Sequence, residues 1–191
     1  MESKMKLVKL FLVMVTAIMM FSGFWSGKST MELREDRLTT SKETLGLVYK
    51  YAPDSKQMIA NAYGYATFSN LGVNLILLSA EGGKGVAHNN QSGQNIYMNM
   101  ASGGVGFGLG VKDFRIIFIF ENKKVFDNFV TNGWEANAQA DAAIKAGNEG
   151  GALNAAITVE PGVRIYKLTQ NGLALQATIQ GTKYWKDGDL N

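Results

Sequence analysis

The chain has 191 residues, enough for one domain with a sizeable core, of which 46% are apolar and 18% charged, with 22 Gly and a formal net charge of +3. The absence of Cys excludes a disulfide framework and a thiolate metal site. Residues 1–27 hold three Lys and one Glu, which leaves a net of +1 on the rest, so the basic surplus that a nucleic-acid footprint needs is missing.

The chain opens with Lys4, Lys6 and Lys9, then an apolar run from Leu10 to Phe21, then the small residues Ser22, Gly23, Ser26 and Gly27. That order is the layout of a secretory signal. The run is shorter than the ~20 residues of a spanning helix. No clean A-x-A cleavage site follows, so an uncleaved anchor at the inner membrane stands as the alternative. Lipidation would need a Cys, which excludes a lipoprotein. The expected location is the periplasm or cell envelope.

Residues 30–62 read as helical. Thr40 and Glu43 have capping-box spacing, and Leu45, Val48 and Tyr49 follow at helical intervals. This assigns 28–39 as a linker, 40–186 as the folded domain and 187–191 as a polar tail. Pro53 divides the helical stretch, and a second helix is expected from Asp54 to Ala62, with Met58, Ile59 and Ala62 inward. From Tyr65 onward the chain is rich in strand formers. "EGGKG" (81–85) reads as a turn, and "VAHNNQSGQNIYMNM" (86–100) as a hairpin connected by "NNQSG". His88 is the only His and reads as an ordinary strand residue.

"ASGGVGFGLGVKDFRIIFIFEN" (101–122) places Gly104, Gly106, Gly108 and Gly110 in alternation with apolar residues. A dinucleotide loop needs a helix directly after the glycines, and a phosphate-binding loop of the Walker type needs G-K-[ST]. Neither is present. Period two predicts a strand with one bare face, onto which another surface approaches closely. The apolar residues then shift from odd to even positions at Phe114, Ile116, Phe118 and Phe120, which predicts a one-residue bulge near Lys112 or Asp113. Next comes a short amphipathic helix with Val125, Phe126, Phe129 and Val130 on its apolar stripe, stopped by Gly133. Alternation from Trp134 to Ile144 predicts a strand despite the Ala content, "GNEGG" (147–151) a loop, and 163–181 a strand, a turn at Asn171-Gly172 and a strand. The expected fold is α+β: a Gly-rich, mostly antiparallel, strongly curved or barrel-like sheet, with N-terminal helices and one short helix between strands.

The segments "YATFSNLGVNLILLSAEGGKGVA", "GGVGFGLGVKDFRIIFIFEN", "FVTNGWEANAQADAAIKAGNEGG" and "RIYKLTQNGLALQATIQGTKYW" occur in an order that resembles the SYLF-domain family over residues 40–186. The resemblance implies a lipid-binding domain. Eukaryotic members bind phosphoinositides and actin at membranes, whereas bacterial members are typically single secreted domains. An exported chain of the bacterial kind would meet phospholipid or a membrane surface and no actin.

The function expected is therefore non-catalytic binding of lipid in the cell envelope, without a cofactor. The competing class is a structural protein that self-associates through its Gly-rich sheet. An enzyme is the third class: Ser79, Glu81, Asp113 and Asp141 are available, but no Ser/His/Asp set or metal-ligand spacing appears. If the ligand is anionic lipid, the headgroup contacts expected are Lys112 and Arg115 near the bulge, and Lys183 and Lys186 flanking Tyr184 and Trp185. A Tyr-Trp pair suits a membrane interface because its rings tolerate both an apolar and a wet side.

Overall fold

The computed structural model describes residues 27–75, 78–104, 110–136, 156–169, 172–173 and 182–191. The leader-like N-terminus, residues 105–109 and 170–171, and most of the Ala-rich stretch lie outside them.

Helix α1 (Thr30–Tyr51) begins earlier than the Thr40–Glu43 spacing suggested. Ser29 and Glu32 form the capping box: the Ser29 hydroxyl accepts from the Glu32 N–H (3.3 Å), and the Glu32 carboxylate accepts from the Ser29 N–H (2.7 Å). Residues 30–39 are thus the first turns of a helix and not a linker. Inside the helix, the Thr40 hydroxyl donates back to the Asp36 carbonyl (3.0 Å), the mid-helix alternative to capping. The face buried is Arg37, Ser41, Thr44 and Val48, a stripe at helical spacing that is mostly polar. Pro53 follows the α1 C-cap Ala52, and α2 (Ser55–Asn61) buries Ile59, with Ala62 buried just after it.

Nine described strands form one antiparallel sheet: β1 (Gly64–Leu75), β2 (Leu78–Asn89), β3 (Asn95–Gly104), β4 (Gly110–Phe120), β5 (Trp134–Glu135), β6 (Ile157–Glu160), β7 (Val163–Thr169), β8 (Gly172–Leu173) and β9 (Thr182–Lys186). Their order is β5-β9-β3-β2-β1-β4-β7-β6, with β8 also on β7. The sheet curls into a half-barrel: the Phe118 ring of β4 lies 5.3 Å from that of Trp134 on β5 and 4.9 Å from that of Tyr184 on β9, although three strands separate β4 from β9. Helix α3 (Lys123–Asn132) closes the concave side with Phe126, Phe129 and Val130, as its apolar stripe predicts, and Gly133 ends it at φ 76°. Helices α1 and α2 cover part of the convex side, over Ile117, Ile119, Tyr166 and Leu168. The α+β curved-sheet class expected from the pattern is the class observed.

The local readings fared unequally. The β2–β3 hairpin is as expected, with its turn at residues 90–94, one residue later than "NNQSG". "EGGKG" is not a turn: it lies inside β2, with Gly83 opposite Met100 and Gly85 opposite Met98 and Phe68. A Cβ on Gly83 would stand 2.6 Å from Met100 Cγ, and one on Gly85 would overlap the Phe68 ring. These glycines admit large neighbours to the concave core.

Residues 101–122 are not one strand either. Gly104 ends β3 and Gly110 begins β4, on opposite sides of the β1–β2 pair. The β1–β4 register runs without a shift from Asn74↔Gly110 to Gly64↔Phe120, so there is no bulge at Lys112 or Asp113. Val105, Phe107 and Leu109 of the odd-numbered set lie outside the described residues. Gly106 and Gly108 lie outside the described residues, and so does the Ala-rich stretch beyond Ala136. Strand β6 was missed by the sequence reading. It joins β7 through Pro161-Gly162, with Gly162 at φ 83°, where a Pro-Gly turn requires a positive φ.

Candidate functional site

On the convex side, α1 and the sheet part to leave a groove of about 630 Å³. The alternation of β-strands decides what lines it. Odd-numbered residues of β1, β3, β4 and β9 and even-numbered residues of β2 share the convex face, by the pairs Ser69↔Lys84, Lys84↔Asn99, Asn99↔Trp185 and Ser69↔Arg115. One transverse row therefore reads Trp185, Asn99, Lys84, Ser69 and Arg115, at about 5 Å per strand. The helix contributes Ser41 and Thr44 from its polar buried face and the half-buried Thr40, and Leu33 adds apolar surface. Gly82 lies beside this row and is exposed, and a Cβ placed on it would meet nothing within 4 Å.

Hydroxyl and ionic contacts hold the helix over the sheet. The Thr67 hydroxyl donates to Ser41 Oγ (2.7 Å), and both are buried. Within α1, Thr44 donates to the Thr40 carbonyl (2.8 Å). Arg37 Nη1 donates to the Met98 carbonyl (2.8 Å), and Nη2 to Asn99 Oδ1 (3.2 Å) and Asp187 Oδ2 (2.5 Å). The Arg37–Asp187 pair is buried, at 7% and 9% side-chain exposure. Burial pushes the Asp187 carboxyl up, but the Asp189 amide, the Arg37 guanidinium and the Leu190 amide outweigh it and hold the group below its ordinary value.

The segment 187–191 is accordingly part of the fold and not a polar tail. Leu190 is buried, Arg34 Nε donates to its carbonyl (2.9 Å), and the Asn191 side chain accepts from Tyr97 N–H (3.0 Å) and donates to the Tyr97 carbonyl (2.8 Å).

The charges around the groove mostly cancel. Asp36 pairs with Lys28 and Arg37 with Asp187. Lys84 is exposed, and among the described residues it has no ion pair. Arg115 is half-buried, with its Nε shielded from solvent and without a hydrogen-bond partner.

The sequence-derived candidates are divided by this geometry. Trp185 stands at the groove rim, 42% exposed, and Arg115 lies in the same row. Tyr184 points the other way: it is 2% exposed, within the concave aromatic cluster, so Tyr184 and Trp185 do not form an interfacial pair. Adjacent strand residues face opposite sides, which is the reason. Lys183 is exposed and pairs with Glu135 of β5 (3.2 Å). Lys186 is exposed at the end of β9, opposite Met98. Lys112 takes its place in β4 opposite Gly72.

Lys84, Gly82, Ser69 and the α1 hydroxyls were missed. Lys84 and Gly82 had been placed in a turn, and a helix stripe of Ser and Thr carries no hydrophobic period. The alternation Gly82, Lys84, Val86 was the available signal. His88 serves the fold: its Nδ1 is 2.8 Å from Asn95 Oδ1, and its ring lies 5.2 Å from that of Tyr65. Among the described residues no group of three or more His, Asp or Glu side chains could hold a metal ion, and no helix is long and apolar enough to cross a membrane.

No family model matches the chain. Beta cell expansion factor A of Aeromonas veronii is 37% identical to it over 163 residues. The match covers 85% of this chain and 60% of that relative, so the chain spans about three fifths of the length of this curated relative.

Proposed function

We propose that the chain is a non-catalytic lipid-binding domain of the SYLF kind, exported to the cell envelope, where it engages phospholipid or a membrane surface. The observation that carries this reading is the open convex groove. It combines a volume of about 630 Å³, an exposed Trp185 at its rim, apolar surface from Leu33, and the cation Lys84, which has no ion pair among the described residues. Pockets of some 300–1,000 Å³ with mostly apolar walls and a few polar groups are the usual form of small-ligand sites. An aromatic ring beside a cation suits an amphiphile.

The family resemblance and the leader-like N-terminus support the same reading. The relative's name concerns beta-cell expansion and brings neither a ligand nor a reaction. Co-sedimentation of the full chain with phosphatidylglycerol vesicles tests the proposal, with lipid co-purifying from the native source identified by mass spectrometry. Sedimentation with vesicles and a bound lipid are expected. A chain that stays in the supernatant and elutes lipid-free as a concentration-dependent oligomer would overturn the reading in favour of self-association.

A further inference from the structure

We propose that the convex groove holds one single-chain amphiphile with an acidic end, a fatty acid or a lysophospholipid, whose carboxylate or phosphate is gripped by Lys84 and Arg115. This rests on the lipid-binding reading and narrows it from membrane surfaces to a ligand taken out of them.

Two observations carry it. The first is size. At the ~30 Å³ that a water-sized group occupies, the groove of about 630 Å³ takes on the order of twenty such groups. That is room for one chain of about 16–18 carbons with a small head, along a groove open on one side.

The second is charge. The acid and base that α1 brings to the groove are each neutralised, Asp36 by Lys28 and Arg37 by Asp187. Among the described residues neither Lys84 nor Arg115 has an ion pair; Lys84 lines the groove, and Arg115 stands beside it, one strand beyond Ser69. They flank Ser69 in one transverse row, their backbones about 10 Å apart by two strand spacings. Arg115 keeps a solvent-shielded Nε donor unfilled, which is costly in a half-buried guanidinium. An oxyanion beside Ser69 would answer both cations and could accept from its hydroxyl. The alkyl chain would then lie along the groove toward Leu33 and Trp185, with its entry over Gly82, where no side chain stands.

Binding of palmitate, palmitoyl lysophosphatidic acid and hexadecanol to the full chain tests this, with stoichiometry from native mass spectrometry and affinity from Trp fluorescence. The wild type is expected to take one molecule of either acid, and hexadecanol at least about tenfold more weakly. The acid bound more tightly identifies the head group. Lys84→Gln and Arg115→Gln should each weaken the acids by about tenfold, the size of one charge-assisted contact, and leave hexadecanol unchanged. Lys84 is exposed, so its variant folds whatever becomes of Arg115→Gln. Lys124→Gln, which removes an exposed charge on α3, should bind as the wild type does. Equal affinity for acid and alcohol, two chains bound at once, or an equal effect of Lys124→Gln would overturn the proposal. Sedimentation with vesicles but no binding of either acid would overturn this inference alone, and failure of both would overturn the lipid reading with it.

Discussion

Gly82 and Gly83 are neighbours in β2, yet they face different worlds. A methyl group added to Gly83 would press on Met100 Cγ at 2.6 Å, whereas one added to Gly82 would meet nothing within 4 Å. The concave face is closed by rings: Phe118 lies within about 6 Å of the rings of Phe68, Phe120, Phe129, Trp134 and Tyr184. The convex face joins an apolar patch under α1 and α2, with Ile117, Ile119, Tyr166 and Leu168 buried, to a part held by hydroxyls and one buried ion pair, where a groove stays open. One sheet thus divides its work by parity. One side is closed by apolar burial, and the other combines a smaller apolar cluster with an open groove of about 630 Å³.

The comparison is broken most severely from the concave side. Phe118→Ala removes a fully buried ring from the centre of the cluster and should cost about 3–5 kcal/mol, read as a fall in the urea midpoint. A loss below 1 kcal/mol would show that the aromatic cluster is not the main source of stability.

On the convex side, Arg37→Ala leaves the Asp187 carboxylate buried without its cation. Breaking such a pair costs about 3–5 kcal/mol, so α1 and the C-terminal residues should loosen together in amide exchange. The pair also sets a pH dependence. The folded-state value of Asp187 is lowered, so its stabilisation is fully present above the ordinary carboxylate value and drains away as the pH falls through the lowered one. Asp187→Asn should flatten the acid limb of the stability curve, and an unchanged limb would assign acid sensitivity to other groups. Thr67→Val strands the Ser41 hydroxyl, a smaller change of about 1 kcal/mol, measured by thermal melting.

The two faces also differ in how legible they were. Helix α3, the β2–β3 hairpin and the even-numbered face of β4 follow from local signals: an apolar stripe, a turn sequence, alternating large residues. The convex side follows from partners far apart in the chain. Asp187 becomes structural only because Arg37, 150 residues away, reaches it. "EGGKG" becomes strand only because Phe68 and Met100 need the space beside it. Ser29–Glu32 and Thr40–Glu43 offer the same capping pattern, and the fold uses the first, since Arg37 and Ser41 must already be helical to meet the sheet. Of the candidate site, Arg115 and Trp185 were found through charge and aromatic character. Lys84 and Gly82 were hidden in a stretch whose glycines read as a turn.

The claim that the convex groove binds while the concave face only supports is tested most directly by Gly82→Leu, with Gly83→Leu beside it. Gly82→Leu should melt as the wild type does, within the ~0.5 kcal/mol usual for surface changes, and lose vesicle and fatty-acid binding because the side chain fills the groove. Gly83→Leu should destabilise by about 1–3 kcal/mol through overpacking against Met100. A Gly82→Leu protein that melts normally and still binds lipid with unchanged affinity would contradict the account.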